Sequence, residues 1–238
     1  MRRAFAEPST VRVLFASGAL LLVNWGVFIY AVATGRVLGA ALGYFINPLL
    51  SVLLGTVVLR ERLRPLQWLA IALASAGVVQ MAVRSGGVPW IALVLASSFG
   101  LYGLLRKIAP VDALAGSTIE TGLMAPLGAA YLGWLHFTGK SAFARGDVAT
   151  DALLVAGGLV TAVPLVWFTA AARRLPLATV GFLQYIAPTG QFLVGLLVFH
   201  EPFAARDLVA FGCIWAGLAV FTADLIRLRR VALDTSLT

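Results

Sequence analysis

Apolar residues fill long runs in this chain, and polar residues gather in the short gaps between them. The runs lie at 13–33, 37–59, 65–83, 88–105, 114–135, 152–172, 175–199 and 208–226. A helix needs about 20 mostly apolar residues to cross a bilayer. The pattern therefore predicts eight transmembrane helices with short joints, an all-α polytopic membrane protein forming one membrane domain over 1–238.

A second pattern overlies the first. Pro48, Gly55, Glu61 and Gly77 are followed, each 140 residues later, by Pro188, Gly195, Glu201 and Gly217. Such a fixed interval between apolar segments marks a duplicated membrane unit. The first three predicted helices match the last three, a shift of five helices. An odd shift reverses the direction of insertion, so the expected architecture is an inverted-repeat helical bundle, as in many small-molecule carriers. The fourth and fifth helices, 88–135, have no upstream counterparts. A full duplication would hold five plus five helices, whereas this chain holds three plus five. The expected organisation is an incomplete first half at 11–83 and a complete second half at 88–230. A naturally shortened chain, a misassigned start or a fragment would each account for the difference.

Composition agrees with the pattern. Hydrophobic residues are 61% of the chain and charged residues 12%, with a mean hydropathy of +0.95. A soluble domain carries about 25% charged residues, so lipid must cover most of this surface. The net charge of +8 sits in joints and at the ends. No basic stripe interleaved with aromatic rings is present to hold a phosphate backbone, which argues against a nucleic-acid partner. Of the 18 Lys and Arg residues, 13 fall on one side of the predicted topology, including Arg62, Arg106, Lys107, Arg173, Arg174 and Arg229. The other side holds Arg36, Arg84, Lys140, Arg145 and Arg206. The positive-inside rule makes the first side cytoplasmic and places both termini there. Joint 60–64 reads Arg-Glu-Arg-Leu-Arg, while its counterpart 200–204 reads His-Glu-Pro-Phe-Ala. The glutamate stays and the arginines go, as expected if the copies face opposite ways.

Ala31-Val32-Ala33 resembles a signal-peptidase site, but the run before it is longer than a signal core and contains Asn24 and Trp25. It reads as a retained first helix. Cys213 stands alone, so no internal disulfide forms.

Several segments carry a family resemblance. They are Asn24-Trp25, Gly43-Tyr44-Phe45-Ile46-Asn47-Pro48-Leu49, Gly55, and Glu61-Arg62-Leu63. Others are Ser98-Phe99-Gly100-Leu101-Tyr102-Gly103, Arg106-Lys107, Glu120-Thr121, and Gln184-Tyr185-Ile186-Ala187-Pro188-Thr189. Over roughly residues 11–226, the chain resembles RarD-type permeases of the EamA group in the drug/metabolite transporter superfamily. The resemblance implies ten helices in two inverted halves and a multi-pass location in the bacterial inner membrane. It also implies export of small metabolites or drugs, with a link to chloramphenicol. This chain departs from it by the first two helices, which leaves an alternative open: a non-transporting membrane scaffold or assembly partner.

The candidate chemistry sits where helices are interrupted. Pro48 and Pro188 fall near the middle of matched runs, and a proline inside a helix frees a backbone carbonyl. In lipid that carbonyl must face protein or a wet cavity. Tyr44 and Asn47 precede Pro48, and Gln184 and Tyr185 precede Pro188. Asn24 is matched by Pro164, with Trp25 and Trp167 nearby. Asn24, Trp25, Tyr44, Asn47, Pro48, Trp167, Gln184, Tyr185 and Pro188 are therefore expected to line a midplane cavity for a small-molecule substrate. The competing expectation is that the amides only tie helix to helix.

Glu120 lies about 9 Å inside its run from the cytoplasmic end. It either carries a coupling proton or pairs with Arg106 or Lys107. Glu61 and Glu201 read as helix-end caps or joint partners. Ala70, Ala76 and Gly77 match Ala210, Ala216 and Gly217, giving close helix packing or a seam for a homodimer. His136 and His200 have no second ligand at helical spacing, so no metal site is expected. No His-Glu-x-x-His, Gly-x-Ser-x-Gly or phosphate-binding loop occurs, and neither enzyme activity nor a cofactor is expected.

Overall fold

The structure is a computed structural model that describes residues 7–84, 89–144, 146–197 and 208–236. Among these residues the chain is helical without strands. The helices are α1 (Pro8–Ala33), α2 (Val37–Val57), α3 (Pro65–Arg84), α4 (Trp90–Ile108), α5 (Ala113–Phe137), α6 (Val148–Arg174), α7 (Leu177–Gln184), α8 (Ile186–Leu197) and α9 (Leu208–Ser236). Each apolar run of the sequence coincides with one of these helices, except that 175–199 is divided between α7 and α8. His200, Glu201 and the joint 200–204 lie outside the described residues.

Six of the helices are long and apolar enough to cross a membrane: α1, α2, α3, α4, α6 and α9. On α6 only 6% of the most apolar window is buried, although the helix is rich in Leu and Val. Such a surface is unfavourable in water and suits lipid. The helix α5, at 25 residues, is long enough to span and carries Thr118, Glu120, Thr121 and Pro126 within its apolar run. The helix α7, at 8 residues, is too short to span alone, and 12 residues of α8 are described.

Two compact units arise, each from an early and a late segment. One comprises Met1–Val23 and Leu101–Leu175, the other Asn24–Gly100 and Pro176–Thr238. The first has a core of Leu14, Ala109, Val111 and Ile119. In the second, Phe45 and Val52 of α2 pack with Ala70, Ala74 and Val78 of α3, Ala178 and Phe182 of α7, and Ile214 and Phe221 of α9. Phe182 stacks face to face on Phe221 with ring centroids 3.9 Å apart. In the same unit, α3 and α9 run antiparallel in close contact. A Cβ on Gly77 would fall 2.5 Å from the Ala210 carbonyl, and one on Gly217 would fall 2.6 Å from the Ala70 carbonyl.

The two prolines act differently. Pro188 has no N–H to give to the carbonyl of Gln184, four residues earlier. The α7 ladder ends at Gln184, and Thr189 N–H resumes it by donating to the Tyr185 carbonyl at 3.1 Å. Pro48 was expected to break its helix likewise, yet it lies inside an unbroken α2. There α7 braces the turn: a Cβ on Gly181 would fall 2.7 Å from the Pro48 carbonyl and 2.9 Å from Ser51 Cβ. Only glycine permits that approach.

The start of α7 is held from a distance. Its N-cap position is Pro176, which makes no side-chain cap. Glu61 supplies one instead, accepting from Leu177 N–H at 2.6 Å and Ala178 N–H at 3.0 Å. A carboxylate at a helix N-terminus satisfies otherwise orphaned donors and complements the helix dipole. Glu61→Ala is expected to lower stability by about 1–3 kcal/mol, with Glu61→Gln losing less, measured by unfolding in mixed detergent micelles. Equal stability of Glu61→Ala and the unmodified chain would refute this role.

Candidate functional site

In the unit of residues 24–100 and 176–238, the amides flanking the two prolines meet. Asn47 and Pro48 are buried on α2, and Pro188 is buried on α8. Asn47 Nδ2 donates to Gln184 Oε1, joining α2 to the last residue of α7. Beside it, the fully buried Tyr185 donates its hydroxyl to the Phe45 carbonyl at 3.2 Å. The amide pair is not self-sufficient. Asn47 Oδ1 and Gln184 Nε2 are both buried without a hydrogen-bond partner. Unpaired buried polar atoms are unfavourable and uncommon; among the described residues Arg106, Ser117 and Asp224 also carry such atoms, but here they belong to two neutral amides bonded to each other.

The other residues expected around the cavity have different surroundings. Asn24 Nδ2 donates to the Leu95 carbonyl and to Ser98 Oγ on α4, both at 2.9 Å. This is a helix-to-helix tie. Trp25 and Tyr44 are partly exposed and flank Phe28, edge to face, with centroids at 5.8 and 6.0 Å. Thr189, next to Pro188, accepts from Trp215 Nε1 at 3.1 Å.

The unit of residues 1–23 and 101–175 holds the charged cluster. Arg106 on α4 and Glu120 on α5 are both buried, the arginine completely. Arg106 Nε lies 3.6 Å from Glu120 Oε1, and Arg106 Nη2 donates to the Ala113 carbonyl at 2.9 Å. Ser17 on α1 donates its hydroxyl to the same carboxylate oxygen. Any Cβ on Gly116 would overlap the Arg106 guanidinium, so this glycine makes room for the charge. Lys107 Nζ instead lies at the end of α6, donating to the carbonyls of Ala172 and Leu175. Arg173 returns the interaction by donating to the Ala109 carbonyl just past the end of α4. Each cation caps the C-terminus of the neighbouring helix. Trp167 stands 69% exposed on α6.

Nothing in the sequence pointed to Ser17 or to the spaces at Gly116 and Gly181, and Ser98 stood only in a family segment with no partner indicated. Serines and glycines inside apolar runs are common and carry no signal of their partners. The acid–base alternative for Glu120, pairing with Arg106, was legible because both lie near one end of neighbouring runs.

Comparison with known proteins gives a consistent picture. Residues 2–83 match the model of the EamA-like transporter family. An uncharacterized transporter of Pseudomonas aeruginosa is 51% identical over 234 residues, covering 94% of this chain and 76% of that protein. Protein RarD of Escherichia coli is 44% identical over 230 residues, covering 97% of this chain and 78% of that protein. A protein of known crystal structure superposes with a TM-score of 0.66 at 22% identity, covering 91% of this chain and 78% of that one. At that identity the likeness concerns the fold alone.

Proposed function

The chain belongs to the EamA-like transporter family as a RarD-type, multi-pass bacterial membrane protein, and from that premise we propose that it carries small metabolites or drugs across the inner membrane. The cargo binds where Asn47 of α2 meets Gln184 of α7, and two oppositely inserted halves open to it in turn. The observation that carries this reading is the buried amide pair with one unpartnered atom on each residue, next to the break between α7 and α8. A polar point of this kind on an interrupted helix suits a binding site in a membrane protein.

The inverted arrangement has its own support. Gly77 meets Ala210 and Gly217 meets Ala70. Adding 140 to the first residue of one contact and subtracting it from the second gives the other contact. A local two-fold axis produces that reciprocity between antiparallel helices. In this reading α5 and the α7–α8 pair also span, giving eight crossings with both termini cytoplasmic, as the Lys and Arg distribution requires.

Transport tests the proposal. Cells expressing the chain are expected to hold about tenfold less labelled chloramphenicol than control cells, equivalent to 1.4 kcal/mol of gradient. Asn47→Ala and Gln184→Ala should each return accumulation towards the control while membrane insertion stays unchanged. Full activity in both variants would remove the amide pair from the site. No effect of the chain on chloramphenicol or on a panel of neutral aromatic drugs would overturn the carrier reading and favour a scaffold.

A further inference from the structure

We propose that the Asn47–Gln184 pair is a subsite for a neutral carboxamide group of the cargo, which bonds to the one acceptor and the one donor that the pair leaves over. The proposal rests on the carrier reading above, since it names the chemistry that the same site selects.

Each side-chain amide offers one oxygen acceptor and one NH2 donor. The Asn47–Gln184 bond consumes a donor from one and an acceptor from the other. What remains buried and unpartnered is one acceptor, Asn47 Oδ1, and one donor, Gln184 Nε2. Turning both amides over preserves the bond and exchanges the remaining atoms between the residues. The sum is the same either way: one acceptor and one donor, on neutral groups.

A complementary cargo group must therefore present a donor and an acceptor together. A carboxamide does so on two neighbouring atoms, in the same pattern the pair now satisfies within itself. An ester, ketone or tertiary amide offers no donor and leaves the protein's oxygen unpaired. Charge is selected against as well. The side chains that pack α2 on α7 next to the pair are Phe45, Phe182 and Tyr185, all apolar or neutral. The Tyr185 hydroxyl is already committed to the Phe45 carbonyl. A carboxylate or ammonium brought here would lose its water without gaining an opposite charge.

Four small probes separate the possibilities: benzamide, N,N-dimethylbenzamide, benzoate and benzyl alcohol. Their binding to the full chain in lipid nanodiscs is measured by equilibrium dialysis, with empty nanodiscs correcting for partition into lipid. Benzamide is expected to bind about tenfold more tightly than N,N-dimethylbenzamide, the loss typical of one unpaired buried group. It should also bind more tightly than benzoate, because the carboxylate loses its water, and more tightly than benzyl alcohol, because one hydroxyl oxygen must serve as donor and acceptor at once. Replacing both amides together (Asn47→Leu with Gln184→Leu) should abolish the preference, and this pair of changes leaves no orphaned polar atom to disturb folding. The probe series on the unmodified chain decides the matter even if that variant misfolds. Benzamide binding no better than N,N-dimethylbenzamide, benzoate or benzyl alcohol overturns the proposal. Transport that depends on Asn47 and Gln184 without such a preference overturns the carboxamide assignment alone. A clear preference with no transport of any cargo overturns the carrier reading and leaves the subsite.

Discussion

Glu120→Ala is expected to destabilise the protein by about 3–5 kcal/mol, the cost of leaving a buried charge without its partner. Arg106 is completely buried, and its Nε and Nη1 have no hydrogen-bond partner. Its compensation comes from the Glu120 carboxylate at 3.6 Å, one bond to the Ala113 carbonyl and the Tyr102 hydroxyl. Removing the carboxylate leaves a buried guanidinium with only neutral partners, the Ala113 carbonyl and the Tyr102 hydroxyl, and no opposite charge. The double change Arg106→Leu with Glu120→Leu should recover most of the loss, because neither charge is then stranded. Ser17→Ala should cost about 1.5–3 kcal/mol, the loss of one hydrogen bond to a charged group. Unfolding in mixed detergent micelles measures all of these. A double variant as unstable as Glu120→Ala would show that the pair is not what holds α4 and α5 together. The same variants address proton coupling. Because Glu120 is engaged by Arg106 and Ser17, Glu120→Gln should leave the pH response of transport in place. A flattened response would identify Glu120 as the proton carrier instead.

The sequence shows where the helices are more clearly than it shows what they face. Run length fixed their positions, because a bilayer requires a certain length of apolar chain. Polar residues marked several ends, as Asp112 does by accepting from Ala115 N–H at 2.8 Å at the start of α5. Facing was harder. In a soluble protein an apolar stripe marks the core, but here the lipid side is as apolar as the interior. Trp167 and Asn47 were thus equal candidates, although Trp167 is largely exposed and Asn47 is 5% exposed. Long-range partners left no trace either. Nothing in the sequence near Glu61 shows that it caps a helix beginning at Leu177. Pro188 announced an interruption, but its location at Tyr185 follows from the hydrogen bond that Pro188 cannot make to Gln184.

Gly77→Val and Gly217→Val are expected to lower stability by similar amounts, about 2–3 kcal/mol each. The equality is the informative part. A Cβ on Gly77 would meet the Ala210 carbonyl and Ile214 Cγ1, at 2.5 and 2.8 Å. One on Gly217 would meet the Ala70 carbonyl and Ala74 N, at 2.6 and 3.2 Å. In both cases a backbone atom of the facing helix is the obstacle, so no side-chain rotation relieves the overlap. Either substitution must push α3 and α9 apart. The core beside that contact contains Val78, Ile214 and Phe221, which lose packing as the helices separate. Sites related by a local two-fold axis should respond alike, whereas an accidental resemblance between two glycines gives no reason for matching losses. The double variant adds a second check. Once one valine has widened the crossing, the other enters a gap already opened, so the combined loss should be smaller than the sum. A large loss at one glycine with none at the other would break the equivalence of α3 and α9, and with it the support this contact gives to two inverted halves.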